Sequence, residues 1–140
     1  MNQVIKVDGI NVNLSPDAFR RWATHYYECK QQFQCPHPFS PVPYFLLCRA
    51  IELGIKARHL QHFTQNQVKS KFGHDLVKAY NALDPKERIL SGPEFSVLQQ
   101  ASGIYATKGF EYFEPKDALT GFKRYPDLQL LDQAAKKLIE

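Results

Sequence analysis

Residues 43–62, PYFLLCRAIELGIKARHLQH, restrict the fold more than any other stretch of the chain. At about 100° per residue on a helix, Leu46, Ala50, Leu53, Ala57 and Leu60 gather on one side, and Leu47, Ile51, Gly54 and Ile55 on another. A helix apolar on two sides must pack against more than one neighbour, so it belongs at the centre of a bundle. Between those faces runs a seam of Arg49, Glu52, Lys56 and His59, confined to about 80° of the circumference. Glu52 and Lys56 stand four apart with the carboxylate first, the better order for an in-helix ion pair. The seam has two readings. Facing solvent, it is worth a few tenths of a kcal/mol per pair. Covered by the downstream GHDL segment, it would hydrogen-bond Lys56, Glu52 or Arg49 to His74 or Asp75. A central polar group must be paired, because an unpaired buried charge costs several kcal/mol. The covered network is therefore the expectation.

The flanking segments supply neighbours for this helix. In SPDAFRRWATHYYECKQQF, Ser15 is placed to cap, Pro16 fits the first helical position, and Asp17 meets the positive end of the dipole. Phe19, Trp22, Ala23, Tyr26, the stem of Lys30 and Phe33 then recur at helical spacing as a core-facing stripe. Pro36, Pro38, Pro41 and Pro43 make QCPHPFSPVP an ordered loop, since they exclude a regular helix and lack ladder donors. Past a polar stretch, FGHDLVKAYNAL predicts a helix over about 74–83, with Gly73 easing a sharp entry. DPKE at 84–87 repeats the helix-start grammar, and Ser91 with Glu94 opens a helix over about 93–106. KGFEYFEP suits a strand or an extended strap. YPDLQLLDQAAKKLIE closes the chain as an amphipathic helix with Leu128, Leu131, Ala135 and Leu138 on one face. At the other end VIKVDGINVNL alternates around Asp8-Gly9, the pattern of a short β-hairpin or extended arm.

These elements predict a mainly α chain: a compact bundle of four to six helices in one domain over 1–140, with 1–14 as hairpin or arm and 15–140 as bundle. A length of 140 residues suits one domain with a useful core, and 44% hydrophobic with 23% charged residues describes an ordinary globular chain. The longest apolar run ends at Arg49, far short of the ~20 residues of a spanning helix, and the N-terminal alternation lacks a signal-like apolar stretch. A cytoplasmic protein without membrane association is expected. The net charge of +4 is uneven, with nine Lys/Arg against four Asp/Glu in residues 1–74 and nine against ten thereafter. A polyanion-facing side is one reading, and a mildly basic solvated surface the other.

The strings AIELGIKARHL and GHDLVKAYNAL together resemble the A-x-E-x-x-x-K-A-x-x-L helix and following G-x-x-H-D-L helix of HEPN (higher eukaryotes and prokaryotes nucleotide-binding) domains. The matching positions are Ala50, Glu52, Lys56, Ala57 and Leu60, then Gly73, His74, Asp75 and Leu76, within residues 43–83. The resemblance implies a small helical bundle, often a homodimer, from bacterial defence, toxin–antitoxin and nucleotidyltransferase-associated systems. Nuclease members carry R-x(4–6)-H, in which an arginine and a histidine act on RNA across a dimer interface. Arg20 and His25 in RRWATH match that expression. They lie ahead of the family-like helix pair, however, and about 140° apart on a straight helix.

Other chemistry is weaker. Cys29, Cys35 and His37 follow no common zinc spacing, and three cysteines without paired spacing do not make a disulfide framework. His59 and His62, about 60° apart on the helix, would need Glu52 or His74 to sketch a metal site, and a polar helix end is the plainer reading. Phe110, Tyr112, Phe113, Phe122 and Tyr125 alternate with Lys108, Lys116, Lys123 and Arg124, as stacking platforms for single strands do. Glu111, Glu114 and Asp117 dilute that field, and core or interface packing explains the aromatics more simply. No cofactor or metal is expected. The reading reached from sequence is a binding or regulatory module without catalysis, its network formed by Arg49, Glu52, Lys56, His59, His74 and Asp75. Its partners would be a second copy of the chain, RNA, a nucleotide, or a protein of a defence-type operon. The alternative is a metal-independent ribonuclease of toxin type, acting across a homodimer through Arg20 and His25.

Overall fold

In the computed structural model, residues 15–112 and 115–140 are described in full, and residues 4–7 and 10–13 as backbone. Strands β1 (Val4–Val7) and β2 (Ile10–Asn13) pair antiparallel, Val4 opposite Asn13 and Val7 opposite Ile10. The Asp8-Gly9 turn, like Phe113 and Glu114, lies outside the described residues. Helices follow: α1 (Pro16–Gln32), α2 (Val42–His59), α3 (Gln65–Phe72), α4 (Leu76–Asn81), α5 (Gly92–Ala106), α6 (Pro115–Leu119) and α7 (Leu128–Ile139). The fold is a mainly α bundle. Its four long helices, α1, α2, α5 and α7, are joined by short pieces.

Helix α2 takes the centre. It lies along α1 and α7 and also touches α4 and α5. Leu47, Cys48, Ala50, Ile51, Ile55 and Ala57 are wholly buried, which matches the two apolar faces of its sequence. Gly54 permits the closest approach. A Cβ there would sit 2.7 Å from the carbonyl oxygen of Leu138 in α7, and backbone cannot swing aside as a side-chain tip can. That proximity lets Arg58 donate to the same Leu138 carbonyl, an otherwise orphaned acceptor at the end of α7. Arg58 also pairs with Glu87 at 3.3 Å, tying down a 3-10 turn at Pro85–Glu87.

Start signals in the sequence do what their chemistry predicts. Ser15 accepts from the Ala18 N–H at 3.2 Å, and Asp127 from that of Leu130 at 2.9 Å. Ser91 and Glu94 form a reciprocal capping box at the head of α5. Glu94, itself buried, also accepts from Lys137 Nζ at 2.7 Å and so fastens α5 to α7. Asp132 joins α7 to α1, accepting from Tyr27, Lys30 and Gln31.

Four expectations need correction. Trp22 is 57% exposed, not core-facing: it stands about 100° from the fully buried Ala23 and rests edge-on against His25. The polar stretch before GHDL contains α3, started by a capping box between Thr64 and Gln67 that carries Val68 and Phe72 into the core. DPKE forms a single 3-10 turn without a side-chain cap from Asp84, whose backbone carbonyl takes the Glu87 N–H at 2.8 Å while the Glu87 carboxylate pairs with Arg58. KGFEYFEP makes neither strand nor strap among its described residues. The chain turns after α5 with Lys108 at φ 59, and α6 starts at Pro115. Phe110 and Tyr125 are buried there, stacked and crossed with Tyr44, while Phe39 stacks on Phe122 at 3.7 Å. These rings are core packing.

Candidate functional site

Glu52 is the hub of the polar seam, and only 3% of it is exposed. One turn further along α2, Lys56 brings its Nζ to 2.5 Å from Oε2. From the α3–α4 junction, His74 places Nδ1 at 3.1 Å from both carboxylate oxygens. Since a carboxylate only accepts, that nitrogen carries the proton. Tyr105, deep in α5, donates its hydroxyl to Oε1, and Arg49 approaches the same oxygen at 3.5 Å. Two helices, α2 and α5, and the α3–α4 junction thus meet on one carboxylate.

The sequence explains the convergence. Glu52 and Lys56 are i and i+4 on a straight helix. His74 reaches them because α3 ends at Gly73, whose φ of 53 turns the chain sharply in a conformation that suits glycine, and α4 restarts two residues later. Asp75 is the N-cap of α4, with its side chain accepting from the Lys78 N–H at 3.0 Å.

Burial alone would push the Glu52 carboxyl up, but hydrogen bonds from Lys56 and Tyr105 outweigh it and hold the group below the usual carboxylate range. For Tyr105 both effects act together: burial first, then the negative Glu52, push its hydroxyl well up, so it stays a donor. Burial opposes the Arg49 cation, yet the hydrogen bond it donates to Tyr26 and the charge of Glu52 more than compensate and raise its pKa. The Tyr26 ring also lies 5.7 Å from the guanidinium. Glu52 is thus held as the carboxylate and Arg49 as the cation beside it.

This network does not end in the core. It forms one side of a cleft of about 490 Å³, in which Arg49, Glu52, Lys56, Lys69 and His74 face the apolar side chains of Phe19, Leu53, Leu60 and Val68. Lys69, on the exposed side of α3, has no acidic partner among the described residues. Beyond Arg49 and His74 lies a smaller hollow of about 200 Å³ that includes Phe45, Tyr105, Lys108 and Glu111. With Glu52 saturated by its own partners, the cleft is lined by cations and apolar side chains together.

The residues singled out from sequence therefore divide. Arg49, Glu52, Lys56 and His74 come together. Asp75 does not join them, because it is spent on capping α4. His59 leaves the seam as well: it is buried, donates from Nε2 to the Ala79 carbonyl at 2.8 Å and stacks on Phe72 at 4.5 Å. Its place is between α2 and the α3–α4 region. Arg20 pairs with Asp17 at 3.2 Å and His25 lies beside Trp22; neither is among the residues lining the cleft. Cys29 and Cys35 are exposed and Cys48 is buried. Among the described residues, no three His, Cys, Asp or Glu side chains are grouped to hold a metal ion, and no helix is long and apolar enough to cross a membrane.

Sequence reasoning missed Tyr105, Lys69 and Phe19. Tyr105 lies 53 positions from its partner in an apolar helix, where a tyrosine reads as core. Lys69 belongs to a helix that was not foreseen. No family model matches the chain, and no curated protein or solved structure matches it.

Proposed function

We propose that the protein is a HEPN-like binding module whose cleft between α2 and α3 takes a nucleotide or a nucleotide unit of RNA. The supporting observation is the pairing of preset cations with an apolar wall in one cleft. Arg49 and Lys56 are anchored by a saturated carboxylate, and Lys69, without an acidic partner among the described residues, lines the same cleft as Phe19, Leu53, Leu60 and Val68. Phosphate groups are recognised by such cations, and a planar base is accommodated against aromatic and apolar side chains. The resemblance of residues 43–83 to nucleotide-binding HEPN domains points the same way. The site residues of this reading are Arg49, Lys56, Lys69 and His74, with Glu52 and Tyr105 positioning them.

The test is a titration of purified protein with ATP, AMP and a labelled single-stranded RNA at low salt, repeated with Lys69→Ala. Lys69 is exposed, so its loss leaves the melting temperature unchanged, and the expected result is binding that the substitution weakens several-fold. Binding that ignores Lys69→Ala, or no binding of any of the three, overturns the proposal. Incubating structured RNA with the protein and with Arg20→Ala checks the ribonuclease reading directly: cleavage lost in the variant would replace the module by an enzyme.

A further inference from the structure

Resting on that reading, we infer that the ligand is a strand carrying at least two successive phosphates, crossing from the cleft over Arg49 and His74 into the smaller hollow, where Lys108 takes the second phosphate. The two cavities share Arg49 and His74 as lining residues. They are therefore adjoining compartments that share the Arg49 guanidinium. A mononucleotide has no use for the second compartment.

Lys108 stands out there for a separate reason. It follows the last turn of α5 with φ 59, the left-handed conformation in which glycine is favoured and other L-residues are strained. Its N–H bonds the Tyr105 carbonyl at 3.0 Å and the next N–H bonds that of Ile104 at 2.8 Å, so the backbone turn is well formed whatever the side chain. A lysine is retained where the fold would accept glycine at lower strain, and non-glycine residues held in this region concentrate at functional sites. The Lys108 side chain is exposed and has no acidic partner among the described residues. Phe45 and the Tyr105 ring give the hollow an aromatic wall, as a stacked base requires. Glu111 is the only carboxylate among the described residues lining it, against the cations Arg49 and Lys108.

The experiment compares AMP, a dinucleotide and a short single-stranded oligonucleotide on the wild type and on Lys108→Gly, with affinities measured across a salt series. The wild type is expected to hold the dinucleotide and the oligonucleotide about ten-fold or more tighter than AMP. Lys108→Gly is expected to weaken them toward AMP, to lower the salt slope by about 0.7 for one lost contact, and to leave AMP binding unchanged. Because glycine relieves the strained φ, the variant should melt no lower than wild type, which separates lost binding from lost folding. Glu111→Gln should tighten the longer ligands. Equal affinity for AMP and oligonucleotide, or a Lys108→Gly variant that binds both as wild type does, overturns the inference and leaves the nucleotide cleft standing. Failure of AMP and oligonucleotide alike overturns the cleft itself.

Discussion

Tyr105→Phe removes one oxygen and no packing volume, which makes it the sharpest probe of the Glu52 hub. The hydroxyl donates to Glu52 Oε1 in a site where Tyr105 is 6% and Glu52 3% exposed, so solvent does not screen the bond or replace the lost donor. A hydrogen bond to a charged group contributes about 1.5–3 kcal/mol net. His74 and Arg49 still reach the same oxygen, which favours the lower half of that range, about 2 kcal/mol. At about 4 °C per kcal/mol for a chain of this size, the melting temperature should fall by about 8 °C. The loss has a pH signature. Glu52 is held below the ordinary carboxylate range, so its contribution to stability is present above that range and disappears as pH falls through its folded pKa. Without Tyr105 the folded pKa rises toward the ordinary value. The gap between wild type and variant should therefore be full near neutrality and close as Glu52 is protonated in acid. Urea melts from about pH 7 down to about pH 3 measure both quantities. A gap under about 0.5 kcal/mol, or one that persists unchanged into acid, would refute a charge-assisted bond and reduce Tyr105 to ordinary core packing.

Gly54→Ala should destabilise by about 1–3 kcal/mol despite alanine's better helix propensity, because its Cβ meets Leu138 backbone at 2.7 Å; a neutral denaturant melt would mean that α2 and α7 are not so close. Trp22→Ala should change stability by no more than about 0.5 kcal/mol, since the ring is more than half exposed, and a loss of 2 kcal/mol or more would restore it to the core stripe. Replacing Glu52, Lys56 and Tyr105 together by Leu, Met and Phe should leave calorimetric stability within about 1 kcal/mol, as buried ionic groups often exchange with apolar ones of similar size. The same triple variant should lose nucleotide binding, and retained binding would show the hub to be structural only.

The central place of α2 was legible, and so were most features governed by a local bond, although Trp22, His59 and Asp84 departed from their local reading. The two apolar faces of residues 43–62 required a central helix, and α2 is central. Ser15 and Ser91 could be read as caps because a cap needs only the three residues that follow it. The same locality explains Asp75. Its carboxylate had a choice between the distant seam and the Lys78 N–H three residues away, and the near donor won at little entropic cost. His74, with no such local use, was left to cross to Glu52. Helix α3 went unread although its signals are local: Thr64-x-x-Gln67 is a capping-box string and Val68 and Phe72 are four apart, but the surrounding Gln, Asn and Lys masked a stripe only two residues wide.

Long-range partners were legible only as a demand. A carboxylate buried at the centre of a bundle offers about four lone-pair sites, and Lys56 with His74 does not fill them. Something else had to donate, and a hydroxyl from an apolar helix is the cheapest donor to bury, since it brings no second charge. Within α5 the polar side chains on the buried face are Glu94, Ser102 and Tyr105. Glu94 is committed to the Ser91 capping box, and the Ser102 oxygen accepts from the Leu76 N–H at 3.2 Å. Tyr105 alone remained to meet the demand. Which face of α5 would turn toward α2 is set by how the two helices pack, and no local pattern in either helix encodes that choice. The hub's existence therefore follows from the sequence of α2, while its completion follows from tertiary packing.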